Sequence, residues 1–168
     1  PGHEPAEIPP TDWDVMPVGA ITYRMLSAGQ VWAVQLADGE SQAHLEWHGL
    51  GPAVSYDAHP SGPLPRAVAW GHYEQTCRVT GDLVVGGERI RVDGFGQRDH
   101  SWGERDWWSF PWCWFSARLA NDERVHALDL GGGFGTGYRL HNGRLDAATA
   151  VSVHAKFGRD GLAEHALV

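Results

Sequence analysis

Short runs of apolar residues, many alternating with polar ones, follow one another along most of this chain and are separated by turn residues. The first runs lie at residues 21–28, 31–37 and 41–49, with Gly29-Gln30 and Asp38-Gly39 between them. Asp-Gly between two such runs is a strong hairpin signal, because these residues tolerate the positive φ angles of tight hairpin turns. The pattern therefore predicts an antiparallel meander.

The same pattern continues through the second half of the chain. Ile90 and Val92 alternate with Arg89 and Arg91, as expected of a strand with one buried face. The further predicted strands lie at 72–81, 82–85, 88–94, 112–120, 124–130, 135–140, 148–157 and 162–168. No window of a dozen residues carries a convincing apolar stripe of helical period. We therefore predict an all-β, antiparallel barrel or sandwich.

Two segments break the series of strands. Residues 1–19 are Pro-rich and lack a repeat, so we expect an arm or linker there. Residues 57–69 contain three prolines and a glycine, which predicts a long loop between two sets of strands. Everything from 20 to 168 is predicted to be a single barrel-like domain.

Charge and composition narrow the classes of partner. The formal net charge of -8 leaves no basic face for nucleic acid. No apolar run approaches the roughly 18 residues of a spanning helix, and the first residues lack the features of a signal peptide. We expect a soluble, cytoplasmic protein without a transmembrane segment. Because the sequence begins without Met, we also expect it to be a piece of a longer chain. The spacing of Cys77 and Cys113 does not require a disulfide.

Chemistry is concentrated in residues 94–108, GFGQRDHSWGERDWW, with three glycines, two arginines, three carboxylates, one histidine and three tryptophans. The glycines permit a bend or bulge that would aim side chains at one point. An extended 97–102 puts Asp99 on one face and His100 and Trp102 on the other. A histidine beside an apolar wall or a carboxylate is a candidate proton donor near neutral pH, and a tryptophan ring stabilises a cation.

A purely structural role for the same segment stays open. Arg98, Asp99, Arg105 and Asp106 are predicted, in this alternative, to form a salt-bridge cluster that closes one end of a barrel, with the tryptophans as a plug. Such ion-pair networks perturb pKa values without any catalytic role. Residue types alone do not decide between a site and a clasp.

The segment resembles a known group of proteins. Residues 96–107 follow without a break the pattern G-x-R-D-H-S-W-G-x-R-D-W of an uncharacterised bacterial family. They also resemble the H-D-H-N-W-G stretch of the carotenoid 1,2-hydratase and AttH-like superfamily, which is related to tocopherol cyclases. The resemblance implies a lipocalin-like (calycin-like) β fold. It also implies two β domains, of which this chain corresponds to the second, so an N-terminal β domain would be missing.

The resemblance further implies acid-catalysed chemistry on the double bond of a hydrophobic, isoprenoid-like small molecule, by a hydratase or a cyclase. It points to His100, Asp99 and Asp129 as catalytic residues. Asp129 stands where the hydratases have the acid of a Y-x-D pair, which here reads Ala127-Leu128-Asp129. The residues predicted to bind substrate are Trp102, Trp107, Trp112, Trp114, Arg98 and Arg105. No cofactor is predicted.

The alternative function is a non-catalytic calycin-like module that binds a lipid or another hydrophobic ligand. The two hypotheses differ in the surroundings of the carboxylates. An enzyme needs Asp99 or Asp129 beside His100 with a perturbed pKa, whereas a clasp ties them to Arg98 and Arg105.

Other candidate sites are weaker. His44 and His48 lie about 13 Å apart on one predicted strand face, too far for shared zinc ligation, and no metal is predicted. The glycine-rich residues 131–137 lack the Lys-Ser/Thr of a phosphate loop. Ser101 and Ser109 stand outside a nucleophile elbow, so hydrolase chemistry has little support.

Overall fold

A computed structural model describes residues 14–159 and 163–167. The regular secondary structure of these residues consists of β-strands and one 3₁₀ turn at Tyr56–Ala58. The strands pair in antiparallel fashion. The predicted all-β, antiparallel fold is therefore confirmed. Within the predicted single domain the described residues form two compact units, one of residues 14–53 and 75–98, the other of residues 54–74, 99–159 and 163–167.

The first unit is an antiparallel meander extended by two long strands. Its strands are β1 (Val15–Val18), β2 (Ile21–Ser27), β3 (Val31–Asp38), β4 (Ser41–Gly49) and the greater part of β6 (Gly71–Val85) and β7 (Glu88–Trp102). β1 pairs with β2, β2 with β3 and β3 with β4; β4 pairs with β6, and β6 with β7. The hairpin predicted at Asp38-Gly39 is confirmed, with Asp38 opposite Ser41 and Gly39 at φ 54°.

β1 lies inside the segment that the sequence assigns to an arm. Val15–Val18 pairs with β2 across a turn at Gly19, and Val15 and Val18 are half-buried. Pro17 obscures the strand pattern, but β1 is an edge strand, where the missing N–H of proline is tolerated. Residues 1–13 of the predicted arm lie outside the described residues.

β6 and β7 are longer than predicted. The predicted strands 72–81 and 82–85 join through Gly81, and the strand predicted at 88–94 continues to Trp102. A Cβ on Gly81 would lie 2.0 Å from the His44 carbonyl oxygen, and its φ is 143°, so only glycine allows this approach. Pairing with neighbouring strands outweighs the weak strand propensity of the glycines.

The second unit holds the remaining strands. They are β5 (Val54–Ser55), which pairs with the start of β6, then β8 (Cys113–Arg118), β9 (Arg124–Asp129), β10 (Gly135–His141), β11 (Arg144–Ala148), β12 (His154–Phe157) and β13 (Ala163–Leu167). β8 to β11 form a sheet in the order β11-β10-β9-β8, and β12 pairs with β13. The strand predicted at 148–157 is confirmed only at 154–157, because the tight turn at Asn142-Gly143 starts β11 at once and β11 ends at Ala148.

The core of the second unit mixes apolar and polar side chains. Its apolar part holds Tyr56, Leu64, Leu128 and Leu130, all buried. The same unit also buries polar residues, among them His59, His72, Glu74, His126 and Thr136. Burying such groups costs free energy unless they are hydrogen-bonded, so their arrangement has to be explained.

Two glycines of the motif strand differ in what surrounds them, and substitution should separate them. A Cβ on Gly96 would lie 2.4 Å from the Trp47 ring and 2.9 Å from Val79, whereas a Cβ on Gly94 meets nothing within 4 Å. Neither glycine has a positive φ. We expect Gly96→Ala to lower the free energy of unfolding by about 1–3 kcal/mol through overpacking. The control Gly94→Ala should change it by less than about 0.5 kcal/mol. Equal urea midpoints for the two variants would contradict this account.

Candidate acid–base site

A buried carboxylate lies at the start of β6. His72 and Glu74 alternate with Tyr73, so both point to one face of the strand. Glu74 is completely buried, and its Oε1 accepts hydrogen bonds from His72 Nε2 at 3.1 Å and from Trp114 Nε1 at 2.7 Å. His126 Nε2 lies 3.7 Å from the same oxygen. Three nitrogens therefore surround one carboxylate oxygen.

The sheet of the second unit supplies the other side of this cluster. In the register of β8, β9 and β10, His126 is opposite both Ser116 and Tyr138, and Trp114 is opposite Leu128. Cross-strand partners share a face, so Trp114, His126 and Tyr138 project from the same side of the sheet. The His126 ring centroid is 5.4 Å from the ring centroids of Trp114 and Tyr138. Aromatic rings thus enclose the carboxylate.

Asp99 brings a second carboxylate to His72 from β7. Its Oδ1 lies 3.6 Å from His72 Nδ1, and 45% of its side chain is exposed. His72 therefore stands between a buried and a half-exposed carboxylate. Burial raises the pKa of Asp99 and the charge of Glu74 raises it further, against the opposing effects of His72, Arg105 and His100. Asp99 keeps its proton to a higher pH than an ordinary aspartate. We call His72, Glu74, Asp99, Trp114 and His126 the Glu74 cluster.

Several buried polar atoms around Glu74 have no hydrogen-bond partner among the described residues. They are Tyr56 Oη, His72 Nδ1 and both ring nitrogens of His126. Burial lowers the pKa of His126, which keeps its ring neutral, and burial raises the pKa of Tyr56. Native cores satisfy nearly all such atoms, so this concentration marks a candidate site.

His100 and Trp102 occupy the side of β7 opposite Asp99, in agreement with the predicted alternation. The His100 ring stacks on Tyr73, with centroids 5.1 Å apart and planes 5° apart. Trp102 meets the His100 ring edge-on at 5.5 Å and is 46% exposed. The structure brings His100 and Trp102 together, and it places Asp99 with His72. Their catalytic and binding roles stay predictions.

Asp129, the third predicted catalytic residue, binds backbone. Its Oδ1 accepts from the N–H of Gly131 at 2.8 Å and its Oδ2 from the N–H of Val153 at 2.9 Å. On β9 it shares a face with Ala127, opposite to the face of His126. These contacts place Asp129 at the loop that follows β9, and a catalytic role for it stays a prediction.

The two predicted arginines make different contacts. Arg98 donates from Nε and Nη2 to Gln75 Oε1, at 3.1 and 2.7 Å. Arg105 donates from Nη1 to Ser101 Oγ at 2.9 Å, and its guanidinium lies 4.0 Å from the centroid of the Trp107 ring. Arg105 is also one of the charges that oppose the raised pKa of Asp99. Substrate binding by either arginine stays a prediction.

The predicted aromatic residues beyond the motif strand lie largely exposed. The Trp107 and Trp112 rings are 5.6 Å apart and about half exposed, and Trp108 is 95% exposed. Asp106 organises this loop, because its carboxylate accepts from Ser109 Oγ at 2.5 Å and from the N–H of Trp108 at 3.0 Å. In the structure Asp106 therefore caps a turn.

The motif contains the pair Trp102-Gly103, which packs against a second such pair, Trp70-Gly71. A Cβ on Gly71 would lie 2.0 Å from the Trp102 ring, and a Cβ on Gly103 2.3 Å from Trp70. The N–H of Trp70 donates to the Trp102 carbonyl at 2.9 Å. Each tryptophan thus packs on the glycine of the other pair. Of the three motif glycines expected to allow a bulge, Gly103 has a positive φ, 104°.

Sequence reasoning missed His72, Glu74 and His126. The available signal was His72-x-Glu74, since two such residues on a strand share a face. His126 immediately precedes the predicted Ala127-Leu128-Asp129, and one residue along a strand changes the face.

The cluster also contains a possible donor set for a metal ion. Ligand atoms of His72, Glu74 and Asp99 lie within 4.8 Å of one another, and imidazole with carboxylates suits Zn²⁺. A cation at Glu74 Oε1 would however meet the Trp114 indole N–H, which is a donor only, 2.7 Å from that oxygen.

Removing one donor to Glu74 tests the cluster. We expect Trp114→Phe to lower the free energy of unfolding by about 1–3 kcal/mol, because a buried carboxylate loses a hydrogen bond. Trp112→Phe, at a half-exposed ring, serves as the control and should cost less than about 0.5 kcal/mol. Urea unfolding of both variants measures the difference. Equal losses would show that the Trp114 N–H contributes nothing specific.

Comparison with known proteins gives the fold and the family. A crystal structure from Nitrosomonas europaea, described as that of a "putative AttH", matches with a TM-score of 0.61 and 16% identity over 87% of this chain. That match covers 48% of the other chain, so the present chain spans about half its length. The likeness shows the fold and supports the predicted lipocalin-like class.

A search of curated proteins found no match. Among the described residues no helix is long and apolar enough to cross a membrane. The model of a family described as a domain of unknown function, DUF7064, matches residues 3–167. The chain therefore belongs to the DUF7064 family.

Proposed function

We propose that this chain provides the proton donor of an enzyme that adds water to, or cyclises, a hydrophobic isoprenoid-like alkene. The observation that carries the proposal is the position of His72 between the buried Glu74 and the half-exposed Asp99. A base oriented by one acid and facing another is a recurring arrangement for proton transfer.

The reaction needs a proton donor and a group that takes the proton back. The Asp99 carboxyl protonates one alkene carbon, so a C–H bond forms from the π electrons and the neighbouring carbon becomes a cation. Water adds to the cation in a hydratase, and an internal nucleophile adds in a cyclase. The added group then loses a proton, which the Asp99 carboxylate accepts.

Glu74 positions His72 for this exchange. The hydrogen bond from His72 Nε2 to Glu74 fixes one ring proton on that nitrogen, so Nδ1 faces Asp99. At 3.6 Å the contact with Asp99 is electrostatic rather than a hydrogen bond. The electrostatic effect of His72 opposes the raised pKa of Asp99, so this contact favours the carboxylate that remains after the proton has left.

The exposed aromatic residues of the second unit favour a hydrophobic ligand. Five tryptophans there are about half exposed or more: Trp70, Trp102, Trp107, Trp108 and Trp112. Large exposed apolar side chains in one unit are typical of a binding surface, and indole faces stabilise cations. The same feature favours the second candidate function, a hydrophobic-ligand-binding module without catalysis.

Asp99→Asn separates the two functions. The probe is geranylgeraniol in H₂¹⁸O or D₂O, with mass spectrometry for the gain of one labelled water or, in a cyclised isomer, of one deuterium. We expect the variant to lose about 10²- to 10⁴-fold in turnover, the usual contribution of a general acid. Asp106→Asn, at a turn-capping carboxylate of the same motif, is the control and should keep its turnover. A fully active Asp99→Asn would exclude Asp99 as the donor. If turnover is lost only in His100→Gln, the proton donor lies on the face of β7 opposite to Asp99.

The pH dependence gives an independent check. Because the folded protein holds the proton of Asp99 more tightly than the unfolded chain, its free energy of unfolding should fall as pH rises from the ordinary aspartate pKa through the raised one. Turnover should fall over the same range as the acid ionises. Besides burial, the groups that act on this pKa are Glu74, which raises it, and His72, Arg105 and His100, which lower it.

In Asp99→Asn the fall in stability over this range should disappear, as measured by urea unfolding across a pH series. If Asp99→Asn is instead strongly destabilised while ligand binding is unchanged, the result would support the structural alternative, a salt-bridge cluster that closes one end of the barrel.

A further inference from the structure

A second polar cluster of the second unit lies in the loop after β5 and on β10. It consists of His59, Ser61 and Thr136, and we call it the Ser61 cluster. His59 Nε2 lies 2.9 Å from the Gly137 carbonyl oxygen. A carbonyl only accepts, so Nε2 carries the ring proton and Nδ1 keeps a lone pair. Ser61 Oγ is 2.7 Å from that Nδ1.

Thr136 completes a triangle of short contacts. Its Oγ1 is 2.8 Å from Ser61 Oγ and 3.0 Å from His59 Nδ1, and Thr136 is completely buried. Two hydroxyl groups therefore share one basic nitrogen. The proton of Ser61 reaches Nδ1 either directly or through the Thr136 hydroxyl, because each hydroxyl both donates and accepts.

A tight turn holds Ser61 in place. Pro60 occupies the second position of a turn closed by a hydrogen bond from the N–H of Gly62 to the His59 carbonyl at 2.9 Å. Gly62 has a φ of 92°, which favours glycine. The Ser61 N–H also donates to His59 Nδ1 at 3.2 Å. The backbone bond from Gly62 to His59 closes this turn without the Ser61 hydroxyl.

We propose that Ser61 is an activated nucleophile that accepts an acyl group from an ester. A serine bonded to a histidine whose tautomer is fixed by a third group is the arrangement that activates hydroxyl nucleophiles. His59 is 94% buried while Ser61 is half-buried, so the base is protected and the hydroxyl is reachable. The proposal is independent of the function proposed for the Glu74 cluster.

The step balances without a cofactor. Ser61 Oγ bonds to the acyl carbon while its proton moves to His59 Nδ1. The bond between the acyl carbon and the alkoxy oxygen then breaks, and the leaving alcohol takes the proton from Nδ1. Water releases the acyl group by the same steps, with His59 as the base, so one ester and one water become an acid and an alcohol.

The probe is p-nitrophenyl acetate with the full chain. We expect a burst of p-nitrophenolate equimolar with the protein, and one acetyl group on the peptide that contains Ser61. Ser61→Ala should abolish both. Ser109→Ala is the matched control and should keep both, because Ser109 is bonded to a carboxylate and not to a histidine. Cys77 is a poor competitor, since burial raises the pKa of its thiol to about 11.

Two further variants separate activation from packing. His59→Gln keeps an N–H for the Gly137 carbonyl but lacks the ring base, and we expect it to slow the burst by about 10²-fold or more. Thr136→Ser keeps the hydroxyl and should retain most of the rate. An undiminished burst in Ser61→Ala, an acetyl group on another residue, or a full rate in His59→Gln would overturn the proposal. Ser61→Ala should leave alkene turnover unchanged, which separates this result from the test of Asp99.

Discussion

The buried carboxylate of Glu74 is the constraint on which the second unit depends. An ionised carboxylate removed from water is very costly unless N–H groups surround it. Two such groups come from separate elements, His72 on β6 itself and Trp114 on β8, and the His126 ring on β9 lies 3.7 Å from the same oxygen. The register of the four-stranded sheet is therefore tied to one charge, because a shift of one residue would turn Trp114 and His126 away from it.

The two-residue period of the strands decides how chemistry is distributed around that charge. On β7 it places Asp99 against His72, while His100 stacks on Tyr73. On β9 it places His126 on the face of the Glu74 cluster and Asp129 on the other. Asp99 and His100 are adjacent in sequence but contact different residues, although the motif read along the sequence groups them in one site.

The sequence was sufficient for the strand class, which depends on local patterns, and it singled out the segment that contributes Asp99 to the Glu74 cluster. Alternation along the chain predicts strands, and the density of polar and aromatic residues marks 94–108. The partners of Asp99 could not be found in this way. Glu74 and Trp114 are 40 residues apart and meet through the arrangement of β6 with β8, which no local pattern records. The role of the loop at 59–62 likewise depends on its contacts with Thr136 and Gly137 on β10.

The contacts of the motif residues show why a motif match locates a candidate segment but does not say what each of its residues does. Gly103 makes room for Trp70, Ser101 accepts from Arg105, and Asp106 caps the following turn. These atoms are used in holding the strand end and the loop. Asp99 differs from them, because one side of its carboxyl faces a buried imidazole and the other faces solvent. A group in that position is held beside an internal partner and is open to an external ligand, which is what the proposed role of Asp99 in acid catalysis needs.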